Sequence, residues 1–161
     1  MYNMTVADAH TYAVGDGQWV VHNSCSVFVD GVNLSHIFEG EINKIGRAVG
    51  FHFAGGTWYV GKARIDAITA VADANGVFRA KVSVFDHSTG NWVAKRAEST
   101  FFPNAWNEQQ VVDEILSSFI NGQVSILGKP RNYWEGISSS GIRIGGYLNF
   151  FGDINTAFPI P

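Results

Sequence analysis

Eighteen glycines are scattered through a chain that also carries twelve phenylalanines and five tryptophans but few leucines, a mixture that favours short strands and turns over long helices. Glycine weakens the interior of a helix or strand and is at home in turns, while aromatic side chains fit a half-buried pleated surface. The expected class is α+β, weighted to β. With 161 residues, 46% hydrophobic and 16% charged, the chain has enough apolar material for a single core and fits one domain of ordinary size. The net charge of −3 contains no acidic or basic block, and Asp8 and Asp16 supply two of those charges within the first 24 residues, which hold no Lys or Arg. A nonspecific binder of duplex DNA needs a basic face, so any nucleic-acid contact here is expected to be local, through a few cations in a cleft. Cys25 is the only cysteine, which excludes an internal disulfide and a cysteine-based zinc site. No apolar run approaches the roughly 18 residues that span a bilayer. The first residues also lack a basic region followed by an apolar stretch, so no membrane association and no export signal of its own are expected.

Along the chain, Thr5 to Val14 and Gln18 to Val21 read as extended and flank Gly15-Asp16-Gly17, the composition of a hairpin with a glycine-tolerant turn. A short helix is expected within Asn33 to Ile42, then a glycine-flanked turn from Gly46 to Gly50 leading into an extended Phe51-His52-Phe53 that ends at Gly55-Gly56. Thr57 to Val60 is another β run, Val77 to Phe85 alternates like a half-buried strand, and Asp86 to Gly90 is a hairpin loop. One longer helix is predicted from Asn107 to Asn121, with Asn107 and Gln110 as a capping box, Gly122 as its stop, and Val111, Val112, Ile115, Leu116, Phe119 and Ile120 as an uninterrupted apolar stripe. Extended segments near Asn132 to Gly136, Ile142 to Phe150 and Ile154 to Phe158 pair through turns, including Phe151-Gly152-Asp153.

The chemistry points to His36 and His52, sixteen positions apart and expected on different elements. Imidazole changes charge near neutral pH without special tuning, so two in one cleft can take one proton and return another, with no metal needed. No His-x-x-x-His, His-Asn-His or paired aspartate pattern offers ligands for a cation.

Two resemblances add to this reading. Ala9-His-Thr-Tyr-Ala-Val-Gly15 and Val20-Val-His22-Asn23-Ser24 resemble the C-terminal block of the Hint (hedgehog/intein) self-processing family, in which a terminal Asn cyclises and cuts the chain with help from the preceding His. The resemblance implies that His22 and Asn23 mark a former self-cleavage junction, that residues 1–24 are an inert remnant, and that 25–161 form the released domain. The second resemblance is carried by His36-Ile-Phe-Glu-Gly-Glu-Ile-Asn43, Gly46-Arg-Ala-Val-Gly-Phe-His52, Ser99-Thr-Phe-Phe-Pro103, Trp134-Glu-Gly136, Gly141-Ile-Arg-Ile-Gly-Gly-Tyr147 and Ile154-Asn-Thr-Ala-Phe-Pro-Ile160. These six ordered motifs, over about residues 33 to 160, resemble the bacterial branch of the EndoU nuclease family, the C-terminal toxin domains of polymorphic and contact-dependent inhibition systems.

That resemblance implies an RNase A-like arrangement of antiparallel sheets with one main helix and a short N-terminal one. It implies an endoribonuclease that drives the 2′-OH onto the neighbouring phosphate, leaving a 2′,3′-cyclic phosphate and a 5′-OH, with transfer RNA one candidate substrate. His52 is assigned as general base and His36 as general acid. The third family position is usually a lysine, for which Lys95 is the first candidate and Lys81 the second. Thr156 falls where the family places a substrate-facing hydroxyl, Phe158 stands where viral and animal relatives carry a tyrosine and keeps only its stacking surface, and Ser99 is a candidate for reading a base. Tyr147 and Trp134 are better explained by packing across the sheet. Arg143 could contact phosphate or sit on an outer face. No cofactor is required, although some members of the family respond to manganese. The partners implied are RNA and a dedicated immunity protein, with no membrane and no duplex DNA, and the parent chain is exported so that this domain acts in the cytoplasm of a rival bacterium. Two other readings compete: a glycine- and aromatic-rich β module that binds a ligand or partner without catalysis, and a toxin that is a metal-dependent DNase.

Overall fold

The computed structural model describes the backbone of residues 11–14, 19–22, 28–29, 31–56 and 59–161, and the side chains of 31–56 and 61–161. The expected junction residues Asn23 and Ser24, the side chain of His22, the turn Gly15-Asp16-Gly17 and the residues Cys25, Thr57 and Trp58 lie outside the described residues. The two expected strands at the start of the chain do pair: β1 (Thr11–Val14) runs antiparallel to β2 (Trp19–His22), with Thr11 opposite His22 and Val14 opposite Trp19.

Strands β3 (Phe28–Val29) and β4 (Val32–Asn33) lead into the short helix α1 (Leu34–Phe38). Asn33 starts it: the side-chain oxygen accepts from the backbone N–H of His36 and from the Ser35 hydroxyl, satisfying a helix donor that has no partner within the helix. The hairpin of β5 (Glu41–Ile42) and β6 (Ala48–Val49) follows, its turn held by the Asn43 side chain, which accepts from the N–H groups of Ile45 and Arg47.

A five-stranded sheet comprises β7 (Tyr59–Val60), β8 (Ala63–Ala70), β9 (Phe78–Asp86), β10 (Asn91–Ala94) and β11 (Ser99–Phe101). β8 takes one edge of β9; β10 and β11 share the other, opposite Ser83–Asp86 and Phe78–Ala80 respectively. The long helix α2 (Glu108–Ile120) is followed by β12 (Gln123–Val124), β13 (Tyr133–Ile137), β14 (Arg143–Leu148) and β15 (Ile154–Pro159), and the second large sheet has the order β12-β13-β14-β15-β4-β3. Its pairs are antiparallel except that β15 and β4 run parallel, Ile154 opposite Val32. The α+β expectation, mostly sheet with one main helix and one short one, is what the described residues form. None of their helices is long and apolar enough to cross a membrane.

Apolar side chains gather into two clusters. One joins α1 and α2 to the second sheet through Ile37, Val111, Ile115, Trp134, Ile144 and Ala157; the other fills the first sheet with Phe51, Ala63, Val82, Val84 and Phe101. Chain neighbours divide between them: Phe51 belongs to one and Phe53 to the other, and Phe101 and Phe102 divide in the same way. His52 therefore sits at the seam.

Two local expectations are corrected, and two further features come from the structure alone. Phe51-His52-Phe53 is not a strand; Phe51 lies at φ +61 and is fully buried, and the N–H groups of Phe51 and His52 donate to the carbonyls of His36 and Ile37 in α1 at 2.8 and 2.6 Å, a tertiary dock that extended backbone would miss. The buried face of α2 does not coincide with the expected apolar stripe but is rotated from it. At about 100° per residue the buried arc runs from Glu114 and Ser118 through Val111 and Ile115 to Val112, and Ile120, 80% exposed, falls outside it. Gly122 follows the Asn121 cap, as expected of the helix stop, and a Cβ there would crowd the carbonyls of Glu135 and Ser118, so glycine also allows the close approach to β13. Finally, β8 escaped notice because Ala63-Arg-Ile-Asp-Ala-Ile-Thr-Ala70 lacks strict alternation, and it carries register irregularities against β9.

Candidate active site

Each imidazole is set by the element that carries it. Asn33 and the first turn of α1 hold His36, and Gly40 (φ +66) ends that helix and turns the chain back, so that Glu41 returns toward the ring while Glu39 stays exposed. His36 Nδ1 donates to Glu41 Oε1 at 2.7 Å. That bond, opposed by partial burial, holds the Glu41 carboxyl below the usual carboxylate range. His52 Nδ1 lies 2.8 Å from the Thr100 carbonyl, and because a carbonyl only accepts, the hydrogen is on Nδ1. In the neutral ring the lone pair is then on Nε2. Burial first, then the charges of Lys95 and His36, pull His52 well below the ordinary imidazole value of 6.5, against the opposing effect of the Thr100 carbonyl.

Both rings line one cavity of about 480 Å³, together with Gly50, Lys95, Glu98, Thr100, Tyr147, Thr156, Phe158 and the segment Pro159–Pro161. Burial pulls Lys95 down to about 8. Its ammonium donates to the Ser99 hydroxyl at 2.7 Å and to the Gly50 carbonyl at 3.0 Å, which leaves one of three hydrogens for a ligand. Thr156 and Phe158 are two apart on β15 and so share a face. The Thr156 hydroxyl is buried with no hydrogen-bond partner; of the three such side-chain atoms among the described residues, the others being in Ser118 and Trp134, it alone lines the cavity. A buried hydroxyl without a partner costs free energy unless a ligand or water engages it. Phe158 lies 5.5 Å from the His52 ring and 6.4 Å from Tyr147, forming an aromatic wall.

The structure thus gathers His36, His52, Lys95, Thr156 and Phe158 about one space. Lys81, the second lysine candidate, is exposed on β9 and does not line it. Ser99 is fully buried behind Lys95, accepts from its ammonium and donates to the Gly50 carbonyl at 3.3 Å, so it braces the lysine and does not reach the cavity as a base reader would. Arg143 is on the outer face, 3.4 Å from Glu135. Trp134 is core, as expected. Tyr147 packs against Tyr133 at 5.4 Å as expected but also lines the cavity, opposite Thr156 in the β14–β15 register. Glu41 was missed, since nothing in the sequence distinguishes it from Glu39 on the other side of Gly40. Among the described residues no group of three or more His, Cys, Asp or Glu side chains could hold a metal ion.

A β-rich domain with two oriented imidazoles, a half-buried lysine and an unpartnered hydroxyl about one cavity has the makings of an acid–base site. The chain belongs to the bacterial EndoU nuclease family, whose model matches residues 31–161. A protein of Bacillus cereus named "Toxin" is 39% identical over 127 residues, covering 78% of this chain. The match spans 22% of that protein's length. No solved structure matches the chain.

Proposed function

We propose that residues 25–161 form an endoribonuclease toxin domain that cleaves RNA by transesterification. The observation that carries this reading is the tying back of both Nδ1 atoms, His36 to a carboxylate and His52 to a carbonyl, which leaves two Nε2 atoms for a substrate in one cavity. Neutral His52 accepts the proton of the ribose 2′-OH, the 2′-oxygen forms its bond to phosphorus, the P–O5′ bond breaks, and protonated His36 gives its proton to the departing oxygen. Glu41 orients His36 and offsets the charge of its protonated ring. Lys95 and the Thr156 hydroxyl donate to the phosphoryl oxygens, where charge grows in the transition state. Phe158 and Tyr147 offer faces on which a base can stack. Carriage within a larger protein, as in the Bacillus cereus relative, fits a module delivered into the cytoplasm of another bacterium, where transfer RNA is one candidate target. A producing cell then needs an immunity protein that covers the cavity. Residues 1–24 fit the inert end of a Hint domain, and the sheet arrangement is compatible with an RNase A-like architecture.

In excess EDTA the purified domain should cut RNA and leave 2′,3′-cyclic phosphate ends. His52→Ala should lower kcat/KM by roughly 100-fold or more with an unchanged circular dichroism spectrum. Dependence on a divalent ion for the chemical step, or equal action on DNA, would replace this reading with a metal-dependent DNase; activity untouched by His36→Ala and His52→Ala would leave a binding module.

A further inference from the structure

Beside the catalytic cavity is a second cleft, of about 350 Å³, lined by Ile45, Gly46, Arg47, Ala48, Val93, Ala94 and Arg96. The same two stretches of chain build both spaces: Arg47 and Ala48 face the cleft where Val49 and Gly50 face the cavity, and Arg96 follows Lys95. Arg47 and Arg96 are exposed, and neither guanidinium has a carboxylate partner among the described residues. No acidic side chain lines the cleft, and Lys44 is exposed on the same turn. In a chain with net charge −3 and only eleven Lys and Arg, two exposed arginines without a carboxylate partner on one small cleft are a local concentration of positive charge and not part of a general basic surface. The turn that presents Arg47 is braced by Asn43 through the Arg47 N–H, so the backbone beneath this guanidinium is held in place.

We propose that this cleft is a second phosphate-binding subsite, which takes a backbone phosphate adjoining the one cleaved and so sets the register of a single RNA strand across the catalytic cavity. Arginine suits the role because its planar fork grips phosphate oxygens in pairs. The inference rests on the proposed ribonuclease reading and adds to it a requirement for a substrate that extends past the scissile bond.

The test compares two substrates: a dinucleoside monophosphate, which has one phosphate, and an oligoribonucleotide of about ten residues. Arg47→Ala and Arg96→Ala should each raise KM for the longer RNA roughly 3- to 10-fold and leave kcat/KM for the dinucleotide unchanged. In the cleavage-dead His52→Ala background, each should lower the slope of log affinity against log salt by about 0.7. Equal loss on both substrates would give the arginines a structural or catalytic role and overturn the subsite, as would an unaltered salt slope. If the unmodified protein cuts neither substrate, the ribonuclease reading fails first, and the two failures are told apart.

Discussion

His52 donates from Nδ1 to the Thr100 carbonyl, and that one bond leaves its other nitrogen for a proton in transit. Burial first, then nearby charge, holds the ring well below the ordinary imidazole value of 6.5, which favours the neutral form a general base needs. The acid limb of kcat/KM is therefore expected to be centred well below pH 6.5, and a limb at or above that value would exclude His52, in this environment, as the base. Lys95, pulled down to about 8 by burial, loses its charge as pH rises through that value, so the phosphate loses a cation and activity should fall on an alkaline limb near 8. Lys95→Arg keeps its charge and should move that limb upward, which a pH–rate profile on a fluorogenic RNA would show. The residue types at 36, 52, 95, 156 and 158 were legible as candidates in the sequence. What Glu41 and Ser99 do was not, because the partner of a side chain depends on where a turn sends it.

Between α1 and the segment after β6, the chain is held by backbone bonds from Phe51 and His52 to the carbonyls of His36 and Ile37. Gly50 makes that approach possible: it lies at φ +77, and a Cβ there would collide with the carbonyl oxygen of His36. Gly50→Ala should cost about 3 kcal/mol or more, measured by urea denaturation, because a left-handed backbone and a backbone clash are penalised together. A loss below about 1 kcal/mol would mean the dock is looser than described. The elements with strong local signals were legible: α2 with its Asn107 cap, whose side chain accepts from Gln110 N–H, and β9, β13, β14 and β15. The Phe51–Phe53 segment was misread because its conformation is set by a helix fifteen residues earlier, and β8 was passed over because strand pairing, not alternation, makes it a strand.

Over the whole molecule, His52 sits between two apolar clusters, and Phe51/Phe53 and Phe101/Phe102 tie each cluster to the other through residues one or two positions apart. Neither cluster can come apart without pulling on the segment that holds His52. Denaturant should therefore unfold residues 31–161 in one transition, with tryptophan fluorescence, far-ultraviolet circular dichroism and loss of catalysis coinciding. Separate transitions would show that the clusters unfold independently. The buried Glu114 adds a polar tie of the same kind, since it accepts from the Ser139 and Ser140 hydroxyls and the Ser140 N–H and so fastens α2 to the loop before β14. The sequence by itself determined the class, the main helix, the longest strands other than β8 and the residue types that carry the chemistry, because composition and periodicity are local and an imidazole brings its two ring nitrogens wherever it stands. Only the tertiary structure decided that His36 and His52 share one space, which nitrogen each presents, that Lys95 and not Lys81 joins them, and that two arginines lie beside the cavity. Those outcomes depend on contacts between segments distant in the chain, where burial and orientation are fixed by what packs against them and not by what precedes them.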